Sequence, residues 1–510
     1  MRGGPTARER IHVMGEAQDW LFEPTFNRAI KVRQKDERLT SDAGVLLLRE
    51  ADHRLGLVKS LAQRMTDPRE PTKIRYTLTE LLRARLYALA QGYRAQDDLD
   101  RLAHDPALKM AVWDRPGEQV LDERLASQPT QSRLLDTVAS FVENRQALRE
   151  ALADWLVRYV RAKADRSVRR GTVDLDSFPI EVHGGQPGGS YNGYYQKMVY
   201  HPLLASFSVA GNYDSGVHGY RLGNGFLHAV LRRGVAHTAE GAVRFMQEVV
   251  RKCEELAYVT DFRLDAGFTH REVMDFLTDH KQRFIGRLKG NPVLDRLAEP
   301  YLKRPVGRPP KEGYEDVFEL GLHQAESWKH PQRLLLVVVD QPDPVTGQLN
   351  LLPNYFFLVT NRPVTEQDGE AALAHYRNRG TFEDRLGEFN AAVGPRLSSP
   401  QFEENEATLL LALLAFNLAS LLRCELEDRV GGCWDLARFQ RSVLKAGARV
   451  VKGSRRLRVD LAQAVAPLWG WLLERVHGWS LPPRWSRRGP TCRAWMPPPR
   501  HAFLREVLRT

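Results

Sequence analysis

Three acidic positions, far apart in the chain, have residue types and surroundings that could do chemistry. Asp174-Leu175-Asp176 lies in the apolar, β-branched segment GTVDLDSFPIEV. Strand side chains alternate with period two, so both acids share one face. A carboxylate on a central strand is costly to bury unless it is paired or holds a cation. Asp265 ends a second strand-like segment, FRLDAGF, with Gly267 to relax the turn that follows. The carboxyl ends of strands are where open sheets usually present ligands. Glu383 lies in YRNRGTFEDRLGEFN, where Tyr376, Arg379 and Glu383 fall at i, i+3 and i+7 of a predicted helix, on one face. Each has a plain structural explanation: an Asp closing a turn, or a charged helix face in water. Together, a strand Asp, a strand-end Asp and a helix Glu form a hard-oxygen set that suits Mg2+ or Mn2+ better than zinc. Two such ions can activate a water or hydroxyl and stabilise the leaving oxygen of an in-line phosphoryl transfer.

Charge points to the substrate. Lys and Arg number 74 against 63 Asp and Glu, a net charge of +11. From Val451 to Thr510 there are 12 basic and 3 acidic residues, so most of the excess sits in the last segment. Five Trp residues (469, 471, 479, 485 and 495) are interleaved there. Basic residues among aromatics suit a phosphate backbone with bases to stack on. A basic tail around a few buried Trp is the competing reading.

The elements that must position the acids follow from periodicity. At 510 residues the chain is long enough for about three domains and a core that needs no staples. The four Cys are scattered without a C-x-x-C pair, which argues against a zinc ribbon or a disulfide framework and fits a reducing cytoplasm. The N-terminus has no apolar core of a signal peptide. The longest apolar run, Leu409 to Leu422, falls short of the roughly 20 residues of a membrane span and predicts a buried helix. Residues 1–20 read as a flexible extension, and 21–165 as a helical, Arg-rich DNA-binding domain. Within that domain, Pro129 would open a helix from which Thr130, Gln131 and Arg133 project, as in a helix-turn-helix or an ordinary bundle. Residues 166–290 alternate strands and helices in the order β-β-β-α-β-α-β, with Thr269 and Glu272 spaced as a capping box, predicting a mixed sheet. Residues 291–361 are strand-rich without helices between, and read as an insertion. Residues 362–425 return to helix, with Gly380 weakening it by about 1 kcal/mol. Residues 426–510 form a basic C-terminal region, with a hairpin around Lys452, Gly453 and Ser454 and a Pro/Arg-rich, disordered tail beyond Leu481.

Taken in order, LTSDAGVLLLREAD, VDLDSF, YNGYYQKMVYHPLLA, FRLDAGF and the Tyr376/Arg379/Glu383 helix resemble the DDE transposases of bacterial insertion sequences. The likeness is to the group with a β-rich insertion before the last catalytic Glu and a Tyr-x2-Arg-x3-Glu-x6-Lys signature. The last signature position is Asn390 here rather than Lys. The resemblance implies an α/β, RNase H-like catalytic core interrupted by the insertion and preceded by an N-terminal helical domain. It implies Asp176, followed by Ser177, as the first catalytic and metal-binding acid, with Asp174 as the fallback, Asp265 as the second acid and Glu383 as the third. Two Mg2+ or Mn2+ ions are the implied cofactors. The partners would be double-stranded DNA, as terminal inverted repeats and target, and a second copy of the chain, with no membrane. The implied reaction is hydrolytic nicking followed by attack of the 3′-hydroxyl on target DNA, in the bacterial cytoplasm at the nucleoid.

Arg379 is then expected to hold a phosphate and Tyr376 to orient it or stack on a base. The DNA contact of the Lys that Asn390 replaces would be lost or supplied by Arg385, and Lys197, Arg287 and Lys289 would either lie along the DNA or be ordinary surface residues. Gly307-Arg308-Pro309 resembles the core of an AT-hook, although a stiff basic linker has the same composition. Two other readings compete. One is a DNA-binding remnant that no longer cuts, suggested by Asn390. The other is a glycosyltransferase using Asp174-Leu175-Asp176 as a D-x-D motif, which leaves the Tyr/Arg/Glu helix and the basic tail unexplained.

Overall fold

The structure is a computed structural model. It describes residues 20–481, except 23, 28, 34–35, 116, 165–167, 210–221, 238–239, 305–312, 343–347, 350–351, 433 and 454–455. The AT-hook-like segment, Ser454, the N-terminal extension up to residue 19 and the Pro/Arg-rich tail lie outside the described residues.

One mixed sheet of eight strands organises the molecule. Numbered in chain order, they are β1 (Val168–Ser177), β2 (Leu203–Val209), β3 (Leu222–Val230), β4 (Ala257–Leu264), β5 (Arg283–Leu288), β6 (Tyr314–His323), β7 (Gln332–Asp340) and β8 (Asn354–Thr360). Their order across the sheet is β6-β7-β8-β5-β4-β1-β2-β3. β1, β2 and β3 form an antiparallel meander, while β4 and β5 run parallel to β1. β1 and β4 are therefore central and covered on both faces, which is why Val173, Leu175, Phe262 and Leu264 are all fully buried. Gly171 lacks a side chain where the Phe207 ring needs the space: a Cβ there would stand 2.2 Å from it.

The strand-rich stretch after 291 opens with a short helix, Pro292–Ala298, capped by Asn291. Its strands then add to the same sheet rather than building a separate one. β8 pairs antiparallel with β5, and β7 and β6 follow outward. The outermost strand, β6, is the most exposed of the eight, as an edge strand should be.

The long apolar helix Phe402–Cys424 is the hub of the helical side, packing against helices Leu78–Ala90, Gln128–Ser140 and Val142–Ala164 and against β3. It has the length and composition to cross a membrane, yet it is buried within the protein. Asn417, deeply buried on this helix, accepts from the backbone N–H of Phe226 and donates to the Phe226 carbonyl, both at 2.8 Å. Those groups fall where the β2–β3 ladder shifts register, so the side chain replaces ladder bonds that the bulge removes. The N-terminal helices do not form a core of their own. One continuous apolar cluster runs from Ala43 to Trp479. Strand Arg38–Thr40 also pairs with Ala448–Lys452 of the C-terminal hairpin, tying the two ends of the chain together.

Several sequence expectations change here. Gln131 is 1 % exposed and donates to the Leu81 carbonyl, so it packs inside the bundle and cannot reach a base edge. The Thr269–Glu272 capping box does not form. Helix Arg271–Asp279 starts after His270, and Thr269 Oγ1 instead donates to the Arg287 carbonyl at 2.6 Å, clamping the helix start to β5. The three described tryptophans of the basic region face inward. Trp469 donates to the Val443 carbonyl, and Trp471 and Trp479 donate to Glu425. An indole whose N–H is satisfied inside the protein is a packing element, not a platform for bases.

Candidate active site

The parallel pairing of β1 and β4 sets the site. Arg263 is the register partner of Asp174, an offset of 89 positions. Two residues further along both strands, the same offset brings Asp265 beside Asp176. The sequences DLD and RLD thus run side by side: the inner positions form a pair and the outer ones open at the strand ends.

The inner pair is closed. Asp174 is fully buried, and Arg263 binds both its oxygens, Nε at 2.7 Å and Nη2 at 2.6 Å. Nη1 of Arg263 reaches the His375 carbonyl at 3.2 Å, so the fork also anchors the segment that carries Tyr376. With both oxygens bonded to Arg263 and the side chain out of water, Asp174 does not open on a cleft.

The outer positions are open. Asp176 keeps about a fifth of its side chain exposed and accepts from the Ser177 backbone N–H at 2.8 Å. Asp265 is half-buried, and among the described residues no donor bonds its carboxylate. Glu383 reaches the same place from the other side of the chain and is more than half exposed. Between Asp176 and Glu383 lies Arg379, itself buried, with Nη2 2.7 Å from Asp176 Oδ2 and Nη1 bonded to Glu383 Oε1. Burial raises the Asp176 carboxyl to about 6. Arg379 pulls the other way, and the nearby charges of Asp265 and Glu383 add to the rise. One guanidinium facing three carboxylates leaves the cluster net negative. Its donors are all hard oxygens, the set a divalent cation such as Mg2+ takes. As they stand the acids are not a closed cage: among the described residues no three acidic, His or Cys side chains are near enough to share one ion.

The single helix expected to carry Tyr376, Arg379 and Glu383 is two helices, Gly369–Arg377 and Gly380–Ala392. The junction stays right-handed but tightens: Arg379 N–H bonds the Tyr376 carbonyl and Phe382 N–H the Arg379 carbonyl, both three residues back. A three-residue step turns the backbone further per residue than an α-helix does. Tyr376 therefore leans on the apolar cluster of Ile285, Leu335 and Val337, while burial and the nearby Asp265 and Glu383 raise its phenol pKa.

The remaining expected residues divide. Lys289 is exposed on the wall of a cleft of about 880 Å3 that adjoins the turn after Asp265, together with Arg244 and Trp328. Among the described residues neither Lys289 nor Arg244 has an ion-pair partner. Arg287 is exposed, with its guanidinium 5.1 Å from the Phe356 ring centre. Lys197 is exposed and paired with Glu181 at 2.8 Å. Asn390 is exposed two turns beyond Glu383. Arg385 is not a substitute for the missing Lys. It is largely buried and tied to Glu388, which also binds Arg423 and the Leu436 N–H, so its charge is spent inside the fold.

Two contributors were not singled out from sequence. Arg263 had a visible signal, the matched D-x-D and R-x-D alternation at constant offset. Tyr195, whose phenol lies in the field of Asp176, had only its place in YNGYYQK.

An antiparallel meander followed by two parallel strands, with carboxylates at the ends of the first and fourth, is compatible with the RNase H-like architecture of enzymes that cut and join polynucleotides. The chain belongs to the transposase DDE domain group 1 family, whose model matches residues 22–472. It is thus a DDE transposase, of a family whose chemistry is phosphoryl transfer on DNA, generally with divalent ions such as Mg2+. No curated protein matches the chain.

Proposed function

We propose that the protein binds the terminal inverted repeats of an insertion sequence, nicks the DNA there by metal-dependent hydrolysis and joins the freed 3′-hydroxyls to target DNA. The observation that carries this reading is the meeting of Asp176, Asp265 and Glu383 around Arg379 at the ends of β1 and β4. Asp176, Asp265 and Glu383 would hold the divalent ions, which would supply Lewis acidity to the attacking and leaving oxygens. Asp174 keeps a structural role through Arg263.

Arg379 has two tasks in this reading. In the DNA-free chain it neutralises Asp176 and Glu383. When a phosphate arrives, its planar fork can take two phosphate oxygens, leaving the carboxylates to the cations. Tyr376, packed beside it, limits where the guanidinium can swing. Lys289, with Arg244 and Arg287, lines the path of the DNA away from Asp265, while Lys197 contributes from the opposite side. Two copies act on paired ends, as a homodimer, in the cytoplasm where the nucleoid lies. The helices before residue 165 serve DNA binding through exposed faces rather than through Gln131.

The test is cleavage of duplex DNA carrying the cognate element end, with and without Mg2+. Wild type should cut only with the metal, and Asp265→Ala and Glu383→Ala should bind but not cut. Normal cutting by both variants would overturn the assignment.

A further inference from the structure

Of the hairpin that follows Asp176, only Lys197 and Tyr195 bear on the chemistry above. Strand Ile180–Glu181 pairs with Lys197–Tyr200, which pairs in turn with Ser190–Asn192. Asn192 sets the turn of this hairpin. Its Oδ1 accepts from the backbone N–H groups of Tyr194 at 3.0 Å and Tyr195 at 3.4 Å, and its Nδ2 donates to the Gly234 carbonyl at 3.2 Å. Gln196 closes the turn with φ at 53°. Gly234 sits tight against the hairpin: a Cβ there would stand 2.1 Å from the Val199 carbonyl oxygen and 2.7 Å from that of Ser190. The turn is therefore fixed by its own side chain and braced from behind.

What this rigid turn holds out is aromatic. Tyr194 is 88 % exposed and Tyr191 61 %, and Met198, directly across the ladder from Tyr191, is 39 % exposed. Single exposed apolar side chains need no explanation. Three on one braced hairpin, next to the site, do. The Tyr195 ring meets Tyr194 edge-on at 5.0 Å and His201 at 6.0 Å, so the row runs from solvent inward toward Asp176. The neighbourhood is also electrically selective. Three carboxylates face one guanidinium, and Lys197 on the hairpin is already paired with Glu181. With Lys197, its one Lys or Arg, engaged by Glu181, the hairpin offers a phosphate no free ammonium or guanidinium, whereas an aromatic ring stacks on the uncharged face of any base.

We propose that Tyr194 stacks on an unpaired base at the DNA end engaged by the Asp176 site, so that the Ser190–Tyr200 hairpin favours a frayed end over a closed duplex. This rests on the DNA-cutting function above for the identity of the ligand. It adds a residue that recognises base unpairing rather than phosphate.

The test uses the full chain in EDTA, so that it does not depend on cleavage. Fluorescence anisotropy compares a blunt duplex with the same duplex carrying a short unpaired end that has 2-aminopurine at the unpaired position. Wild type should prefer the frayed end about tenfold, with quenching of the 2-aminopurine on stacking. Tyr194→Ala should lose both the preference and the quenching, and Tyr194→Trp should keep both. A wild type without preference, or Tyr194→Ala with preference and quenching intact, overturns the proposal. So does a Tyr194→Ala effect confined to self-association in light scattering, which would make the hairpin a protein interface. Preference without any Mg2+-dependent cutting would sink the cleavage reading alone, and cutting without preference would sink this one alone.

Discussion

Asp174 and Arg263 face each other across the β1–β4 ladder and meet through two bonds of 2.7 and 2.6 Å, with both side chains almost wholly out of water. This pair locks the register that lays Asp265 beside Asp176. Removing one charge strands the other in a low-dielectric interior. Asp174→Asn should therefore cost about 3–5 kcal/mol of folding stability. Urea unfolding measures it, and a loss below about 1 kcal/mol would mean that the pair does not hold the two strands.

Asp265 should behave in the opposite way. Its carboxylate is bonded by no donor among the described residues, so Asp265→Asn should leave metal-free stability within about 0.5 kcal/mol of wild type. Wild type should gain about 2.7 kcal/mol at a hundredfold excess of Mn2+ over its Kd, and the variant should not. Thermal unfolding with and without Mn2+ separates the two effects. An equal gain in both proteins would remove Asp265 from the ion site.

Asp176 carries a pH signature. Burial lifts its carboxyl to about 6, above the ordinary value of 3.8. A carboxyl with a raised folded pKa favours the fold below its unfolded value, and that advantage disappears as pH rises through the folded pKa. Asp176→Asn cannot ionise. In EDTA its stability relative to wild type should therefore climb between about pH 4 and pH 7, by about 1–3 kcal/mol. Melting curves across that range test it, and a gap that does not vary with pH would contradict the assigned shift.

Arg385 and Glu388 should prove structural. Glu388 is bonded to Arg385, the buried Arg423 and the Leu436 N–H. Glu388→Gln should lower stability by about 3–5 kcal/mol, because two guanidiniums lose their counter-charge in the interior. If Arg385→Ala instead left stability unchanged and weakened DNA binding, Arg385 would be a DNA contact after all.

Asn390 is exposed two helical turns from Glu383, so a longer side chain fits there. Asn390→Lys should add one phosphate contact. DNA affinity should rise several-fold at low salt, and the slope of log affinity against log salt should steepen by about 0.9. Titrations at several salt concentrations read both. No change in slope would put position 390 away from the backbone.

Most of the strands and helices were legible in the sequence because period two and period 3.6 are local properties of the chain. The candidate acids Asp176, Asp265 and Glu383 were singled out in the same way, each from a short segment with a recognisable pattern. The burial of the apolar run Leu409 to Leu422 also followed from its length, which falls short of a membrane span.

What only tertiary structure decided is which charges cancel. From sequence, Asp174 and Asp176 share one strand face and are nearly equivalent. The parallel register gives Arg263 to the first and leaves the second at the open strand end. Arg385 and Arg379 are both arginines in the same segment, yet the first is consumed by Glu388 and the second reaches two of the three acids. Gln131 and the described tryptophans Trp469, Trp471 and Trp479 could have faced DNA, and packing turned them inward. The strands after residue 291 gave no sign that they would extend the central sheet, because an edge accepts any strand with free backbone groups. Local pattern fixes what each segment becomes. Long-range pairing, such as that of Asp176 and Arg379 across 203 positions, decides what each charge can do.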